Sequence, residues 1–138
     1  MIANRSVPAA SVIPVLAYDD VTAATDWLCD AFGLRVRLRI CAHRAQLVFG
    51  DGAVIVTKLE GARGDTASHS VHVSVDDVDG HHERAAAFGA RILSAPEDYP
   101  YGERQYSVGD VGGHRWTFSQ SIADVDPASW GATSIELD

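Results

Sequence analysis

The sequence predicts an α+β fold built from two tandem β-α-β-β-β modules, and three repeated landmarks predict it. Gly50-Asp51 and Gly109-Asp110 each lead through a glycine-containing turn into β-branched or aromatic residues, the chemistry of a hairpin feeding a strand. Asp19-Asp20-Val21 recurs as Asp76-Asp77-Val78, and Ala31-Phe32-Gly33 recurs as Ala87-Phe88-Gly89. The offsets are 59, 57 and 56 residues, in one order along the chain. Any one landmark alone would mean nothing; together they describe two copies of one unit.

The elements follow in order. Residues 1–10 are an N-terminal extension and residues 11–60 the first module. Ser11 to Tyr18 reads as a strand, with Pro14 restricting it to a place where one ladder bond can be spared. Asp20 suits a helix N-cap; Val21, Ala24, Trp27, Leu28, Ala31 and Phe32 then recur at helical spacing until Gly33 supplies the stop. Leu34 to Ile40 alternates apolar and basic residues, the period of a strand with one wet face. After a turn near Ala42-His43, strands are expected at Arg44–Phe49 and Ala53–Leu59.

Residues 61–67 form a glycine-containing linker, and residues 68–120 repeat the plan. The second module reads as strand Ser68–Val75, a helix from Val78 to Phe88 with Asp77 as cap, and strands at Arg91–Ser94, Arg104–Val108 and Arg115–Gln120. Between them Ala95-Pro96-Glu97-Asp98-Tyr99-Pro100-Tyr101-Gly102 has no counterpart in the first copy. Its two prolines and two tyrosines read either as a stiff aromatic loop covering a pocket or as a plain surface connection. Residues 121–138 are a tail in which Asp126-Pro127 starts one helical turn and Trp130 docks on the body or on another subunit.

The totals bound the function. A chain of 138 residues with 46% hydrophobic and 22% charged residues is ordinary globular material. A net charge of −8 argues against a nucleic-acid binder, which needs basic residues to neutralise phosphates, and favours cationic ligands through long-range attraction. Cys29 and Cys41 lack paired-ligand spacing, so neither a zinc cage nor a redox motif is expected. Residues 1–10 carry one Arg and no long apolar run. That predicts no secretory signal, no membrane span and a cytoplasmic protein. No nucleophile elbow, phosphate-gripping loop or nucleotide fingerprint is present, which leaves binding or acid–base chemistry in a pocket.

The chain resembles the vicinal oxygen chelate superfamily, which includes glyoxalase I, extradiol dioxygenases and the bleomycin-resistance proteins. The resemblance rests on the repeated β-α-β-β-β unit, Val75-Asp76-Asp77-Val78-Asp79, Ala87-Phe88-Gly89-Ala90, and Tyr101-Gly102-Glu103-Arg104 leading to Gly113-His114-Arg115-Trp116. It spans roughly residues 11–120. It implies that the modules form a curved mixed sheet around a cavity, with the helices outside, and that the protein is a homodimer. It fixes no single activity, because one scaffold hosts isomerases, dioxygenases, lyases and drug binders.

Strand alternation then divides each strand between helix side and cavity side. Val71, Val73 and Val75 are expected against the helix, with Ser70, His72 and Ser74 in the cavity. Trp116 and Phe118 match the helix set, leaving Arg115 and Thr117 inward. In the first module Ile13, Val15 and Ala17 share a face, with Val54 and Val56 as their expected neighbours. The resemblance implies metal ligands near Ile13, Val56, Ser70 and Thr117. Two are aliphatic and two are hydroxyls, so no divalent metal cofactor is expected. His69 and His72 point to opposite faces and cannot share an ion, and Glu60 lies past its strand. His81-His82, His43 and His114 are expected at the surface.

His72 is the candidate catalytic residue: either a general base or ligand hydrogen-bonder, or a histidine satisfied in a polar layer. Arg104 and Tyr106 lie two apart and share a face; with Tyr101 and Arg115 they would frame an anionic or aromatic ligand, alongside Ser70, Ser74 and Thr117. The leading expectation is a metal-free protein that binds or sequesters a small organic molecule, by resemblance in a bleomycin-resistance role. The alternative is an enzyme of the glyoxalase, dioxygenase or isomerase class, metal-dependent or using His72. A ligand-sensing regulatory subunit is a third reading.

Overall fold

The structure is a computed structural model and describes residues 2–137. Its elements run β1 (Val15–Tyr18), α1 (Val21–Phe32), β2 (Arg35–Ile40), β3 (Arg44–Phe49), β4 (Gly52–Lys58), β5 (Val71–Ser74), α2 (Val78–Ala87), β6 (Arg91–Tyr99), β7 (Glu103–Gly109) and β8 (Arg115–Ser121). They form two four-stranded sheets, ordered β1-β4-β3-β2 and β5-β8-β7-β6. In each, the strand before the helix pairs in parallel with the last strand, and the other pairs are antiparallel. The result is an open curved α+β arrangement of two like modules.

Local chemistry sets the helix ends. The Asp20 carboxylate accepts the Ala23 amide at 3.0 Å, and the Asp77 carboxylate accepts that of Gly80 at 3.1 Å. Gly33, at φ 80°, ends α1 and donates its N–H to the Cys29 carbonyl. One stripe of α1, from Val21 through Leu28 to Phe32, is buried. The two helices meet through Arg84, whose Nε donates to the Asp30 carbonyl at 2.6 Å.

Phe32 is the hub of the core. Its ring meets those of Trp27 at 5.0 Å, Phe118 at 4.9 Å and Trp116 at 5.3 Å, so the first helix is packed directly against the second module's sheet. Its carbonyl carries a further link. His81 Nε2 lies 2.8 Å from the Phe32 oxygen and must donate to it, which leaves Nδ1 to accept from Tyr106 Oη at 2.6 Å. Burial lowers the His81 pKa; the bond to the Phe32 carbonyl opposes that shift and the charge of Arg84 adds to it. A histidine whose folded pKa is lowered contributes fully above its unfolded value and loses its contribution as pH falls toward the folded one. The denaturant midpoint should therefore fall between pH 7.5 and pH 5.0 by more in the parent chain than in His81→Gln, whose amide offers the same donor and acceptor. Equal falls would remove His81 as the source.

A second set of bonds joins the modules through the β7–β8 turn. Asp110 is buried, and its Oδ2 accepts Tyr18 Oη at 2.5 Å and Trp116 Nε1 at 2.9 Å. Its Oδ1 accepts the amides of Gly112 and His114, both at 2.9 Å. His114 Nε2 donates to the Ala17 carbonyl at 2.8 Å, on the edge of β1 that β4 does not use. A Cβ on Gly112 would stand 2.5 Å from Tyr18 Cδ2, so only glycine allows the turn to close this tightly on β1.

Several expectations need correcting. Strand β1 begins at Val15, not Ser11, and β6 continues to Tyr99, so most of the expected proline-tyrosine loop is edge strand. Register shifts between Ile92 and Glu97 accommodate Pro96 there, where no outer ladder bond is lost. His81 and His114 are not surface residues, since both bond carbonyls of the other module. In the first module Val15 and Ala17 pair with Ile55 and Thr57, while Val54 and Val56 belong to the helix face with Leu16 and Tyr18.

Candidate functional site

In the second sheet the face turned away from α2 is polar across β5, β8 and β7. The β5–β8 register sets His72 beside Thr117 and Ser74 beside Ser119; the β7–β8 register adds Glu103, Gln105 and Ser107. Ser119 Oγ donates to Glu103 Oε1 at 2.6 Å, Gln105 Nε2 to the same oxygen at 3.3 Å, and Ser107 and Thr117 share a bond of 3.0 Å. His72 Nε2 stands 3.8 Å from Glu103 Oε1. That carboxylate is thus held by two neutral donors and faces a titratable imidazole, an arrangement suited to a cation or to proton transfer.

Alternation places the remaining expected residues. Val71 and Val73 pair with Trp116 and Phe118 on the helix face, leaving His72, Ser74 and Thr117 on the open face with exposed Arg115; Ser70 is exposed just before β5. Arg104 and Tyr106 do share a face, but it is the helix face. Arg104 bonds Asp79 of α2 at 3.0 Å and Asp98 at 2.9 Å, and Tyr106 is fully buried against His81. Neither reaches the open side. Tyr101 sits in the β6–β7 turn, stacked on Tyr99 at 5.4 Å, edge-on to Trp130 at 5.4 Å, and donating its hydroxyl to Gln105 at 3.3 Å. Trp130, on a turn begun by Asp126-Pro127, thereby extends the polar face with an aromatic border.

Glu103 and Gln105 were not among the expected site residues. The period-2 run Glu103-Gln105-Ser107, against Tyr106-Val108, is the sequence signal that marks the wet face of β7.

The first sheet differs. Arg37 Nη1 bonds Gln46 Oε1 at 2.5 Å, and the carbonyls of Arg5 and Ser6 accept from Arg37 and Gln46, both at 2.8 Å. The N-terminal extension therefore lies over part of this sheet's outward face and buries Gln46.

Between the sheets, beside β5, lies a cleft of about 420 Å³. Its walls are Val12, Pro14, Leu34, Phe49, Val54 and Trp116, with Asp51, His72 and Ser74 supplying polar groups. Its origin is a difference in hairpin length. The β7–β8 loop has five residues between paired Gly109 and Arg115, and it fills the space beside β1; the β3–β4 turn has only Gly50 and Asp51 between paired Phe49 and Gly52. The corresponding space beside β5 stays open. His72 and Ser74 are common to the cleft and the polar face, so apolar and polar surfaces join along β5.

The positions that a metal would need do not offer ligands. Val56 is buried on the helix face, Ile13 is aliphatic, and Ser70 and Thr117 are hydroxyls. Among the described residues no three His, Cys, Asp or Glu side chains converge as a metal site. None of those four positions carries an imidazole, thiolate or carboxylate.

Comparisons with known proteins agree with this architecture. TioX from Micromonospora sp. ML1 is 38% identical, with a TM-score of 0.70 over 80% of this chain and 98% of that one. TnmS3, an antibiotic binding protein from Streptomyces sp. CB03234, is 18% identical, with a TM-score of 0.64 over 79% and 93%. An uncharacterized protein of Mycobacterium bovis is 29% identical over 128 residues, covering 82% of this chain and 84% of its own. The family model matches residues 11–118, all of the first module and the second as far as the middle of β8, and so this chain belongs to the Glyoxalase/Bleomycin resistance protein/Dioxygenase superfamily.

Proposed function

We propose that the protein binds and sequesters a small organic molecule that is apolar at one end and cationic at the other, without a metal. The observation that carries this reading is the cleft. At about 420 Å³ it falls in the range of pockets for drug-sized ligands. Its apolar wall takes a ring or aliphatic group, and Glu103 beside His72 takes a positive charge. A net charge of −8 draws such a cation in. The bleomycin-resistance proteins named in the family's description, and the likeness in fold to the antibiotic binding protein TnmS3, support an antibiotic as the ligand class. We infer a cytoplasmic homodimer: dimers are common in the superfamily, both cysteines are free as in a reducing compartment, and among the described residues no helix is long and apolar enough to cross a membrane.

Calorimetric titration with metal-free bleomycin and other cationic aromatic antibiotics tests this. At least one should bind in the micromolar range or tighter. Glu103→Gln should weaken that binding about tenfold and reduce its salt dependence, as expected for loss of one charge-assisted contact. Failure of the whole panel, or a stoichiometric divalent ion in untagged purified protein, would overturn the reading.

The pair of His72 and Glu103, 3.8 Å apart, favours a second reading: a metal-independent isomerase with His72 as general base. That enzyme would show turnover lost in His72→Ala and in Glu103→Gln alike. A binder shows none in any variant.

A further inference from the structure

Strand β5 is an edge strand, and its ladder has an internal phase. The Val75 amide donates to the Ser119 carbonyl at 2.9 Å, which turns the main-chain groups of Val71, Val73 and Val75 toward β8. The N–H and C=O groups of His72 and Ser74 therefore point the other way, into the cleft that these residues line. No main-chain partner from any described residue meets them there. On the corresponding edge of β1 the outward Ala17 carbonyl is taken by His114 Nε2. One inner edge of this duplicated fold is thus met by the chain's own imidazole, while the other faces an apolar hollow with its donors and acceptors free.

We propose that this edge reads the ligand: the molecule held in the cleft carries a trans secondary amide, which pairs with the main chain of His72 and Ser74 as an added strand would. This rests on the cleft being the ligand site and names the chemistry that site selects. Unpaired edge groups recruit extended amides, and pockets beside the edge then sort the attached side groups. Here the pocket is Phe49, Leu34, Val54 and Trp116, so the group next to the amide is apolar or aromatic. The volume of about 420 Å³ admits a short peptide-like molecule and excludes a helix or a folded domain.

The test compares N-acetyl-phenylalanine N′-methylamide with its fully N-methylated analogue, titrated into the intact ¹⁵N-labelled chain. The secondary amide should shift the backbone amide signals of His72 and Ser74 more than those of Val71 and Val73. It should also bind about tenfold tighter than the analogue, the size expected for one to two hydrogen bonds. Ser74→Pro removes an N–H that the sheet does not use and that would donate to the ligand's carbonyl, so the fold should persist while the secondary amide binds several-fold more weakly. Equal affinity of the two compounds with movement of cleft signals would overturn edge recognition and leave the cleft as a ligand site. Unchanged affinity for the secondary amide in Ser74→Pro would overturn it too. If neither compound moves a cleft signal, edge recognition is overturned, and the antibiotic titration decides separately whether the cleft takes a ligand.

Discussion

Replacing Asp110 with alanine should cost about 3–5 kcal/mol of stability, the range for breaking a buried hydrogen-bonded carboxylate network. Four donors converge on that side chain, and alanine would leave Tyr18 Oη, Trp116 Nε1 and the amides of Gly112 and His114 without their acceptor. Burial and Asp110 together raise the Tyr18 pKa, so the phenol stays a neutral donor and cannot escape the loss by ionising. A fall of roughly 10–15 °C in Tm is expected for a domain of this size. Asp110→Asn keeps one carbonyl oxygen and should lose less. The checks are thermal melting and the near-ultraviolet signal of Trp116. A change of under about 1 kcal/mol, at the level of an ordinary surface substitution, would show that the turn is not what fastens the modules.

The second large effect is expected at Phe32. Phe32→Ala removes a fully buried ring in contact with Trp27, Trp116 and Phe118, and large-to-small changes of this kind cost about 3–5 kcal/mol. Because the ring belongs to α1 and two of its neighbours to β8, the loss falls on the junction between the copies. Urea unfolding should shift to a lower midpoint and broaden if the modules uncouple, whereas Phe32→Leu, which refills most of the space, should recover at least half of the loss. Equal midpoints for the alanine variant and the parent chain would contradict the packing described for this residue.

How much of this was legible beforehand depends on where each residue's partner lies. Asp20, Gly33 and Asp77 act on amides and carbonyls within four residues, so their caps could be read from local chemistry. Asp110 and His114 find Tyr18 and Ala17 more than ninety positions away, and nothing local distinguishes them from solvated turn residues. Face assignment worked in β5 because valines alternate with His72 and Ser74, giving polarity something to sort. In β1 the run Val15-Leu16-Ala17-Tyr18 is apolar in both phases, and β4 offers Val54-Ile55-Val56; there alternation carries no contrast and the neighbours came out one residue off. Arg104 misled for another reason. A charged residue was assigned to the wet face, but Asp79 on α2 and Asp98 on β6 offer it partners on the helix side.

The unequal hairpins have one more consequence, for how such a molecule diverges. Three residues of loop separate the β1 edge, covered by the other module's β7–β8 turn, from the β5 edge, where the cleft stays open. Insertions or deletions at Gly50-Asp51 alter that berth while leaving untouched the caps and the aromatic hub. If the proposed ligand site is the cleft, selection can retune its ligand at one hairpin while the sister half keeps the scaffold folded.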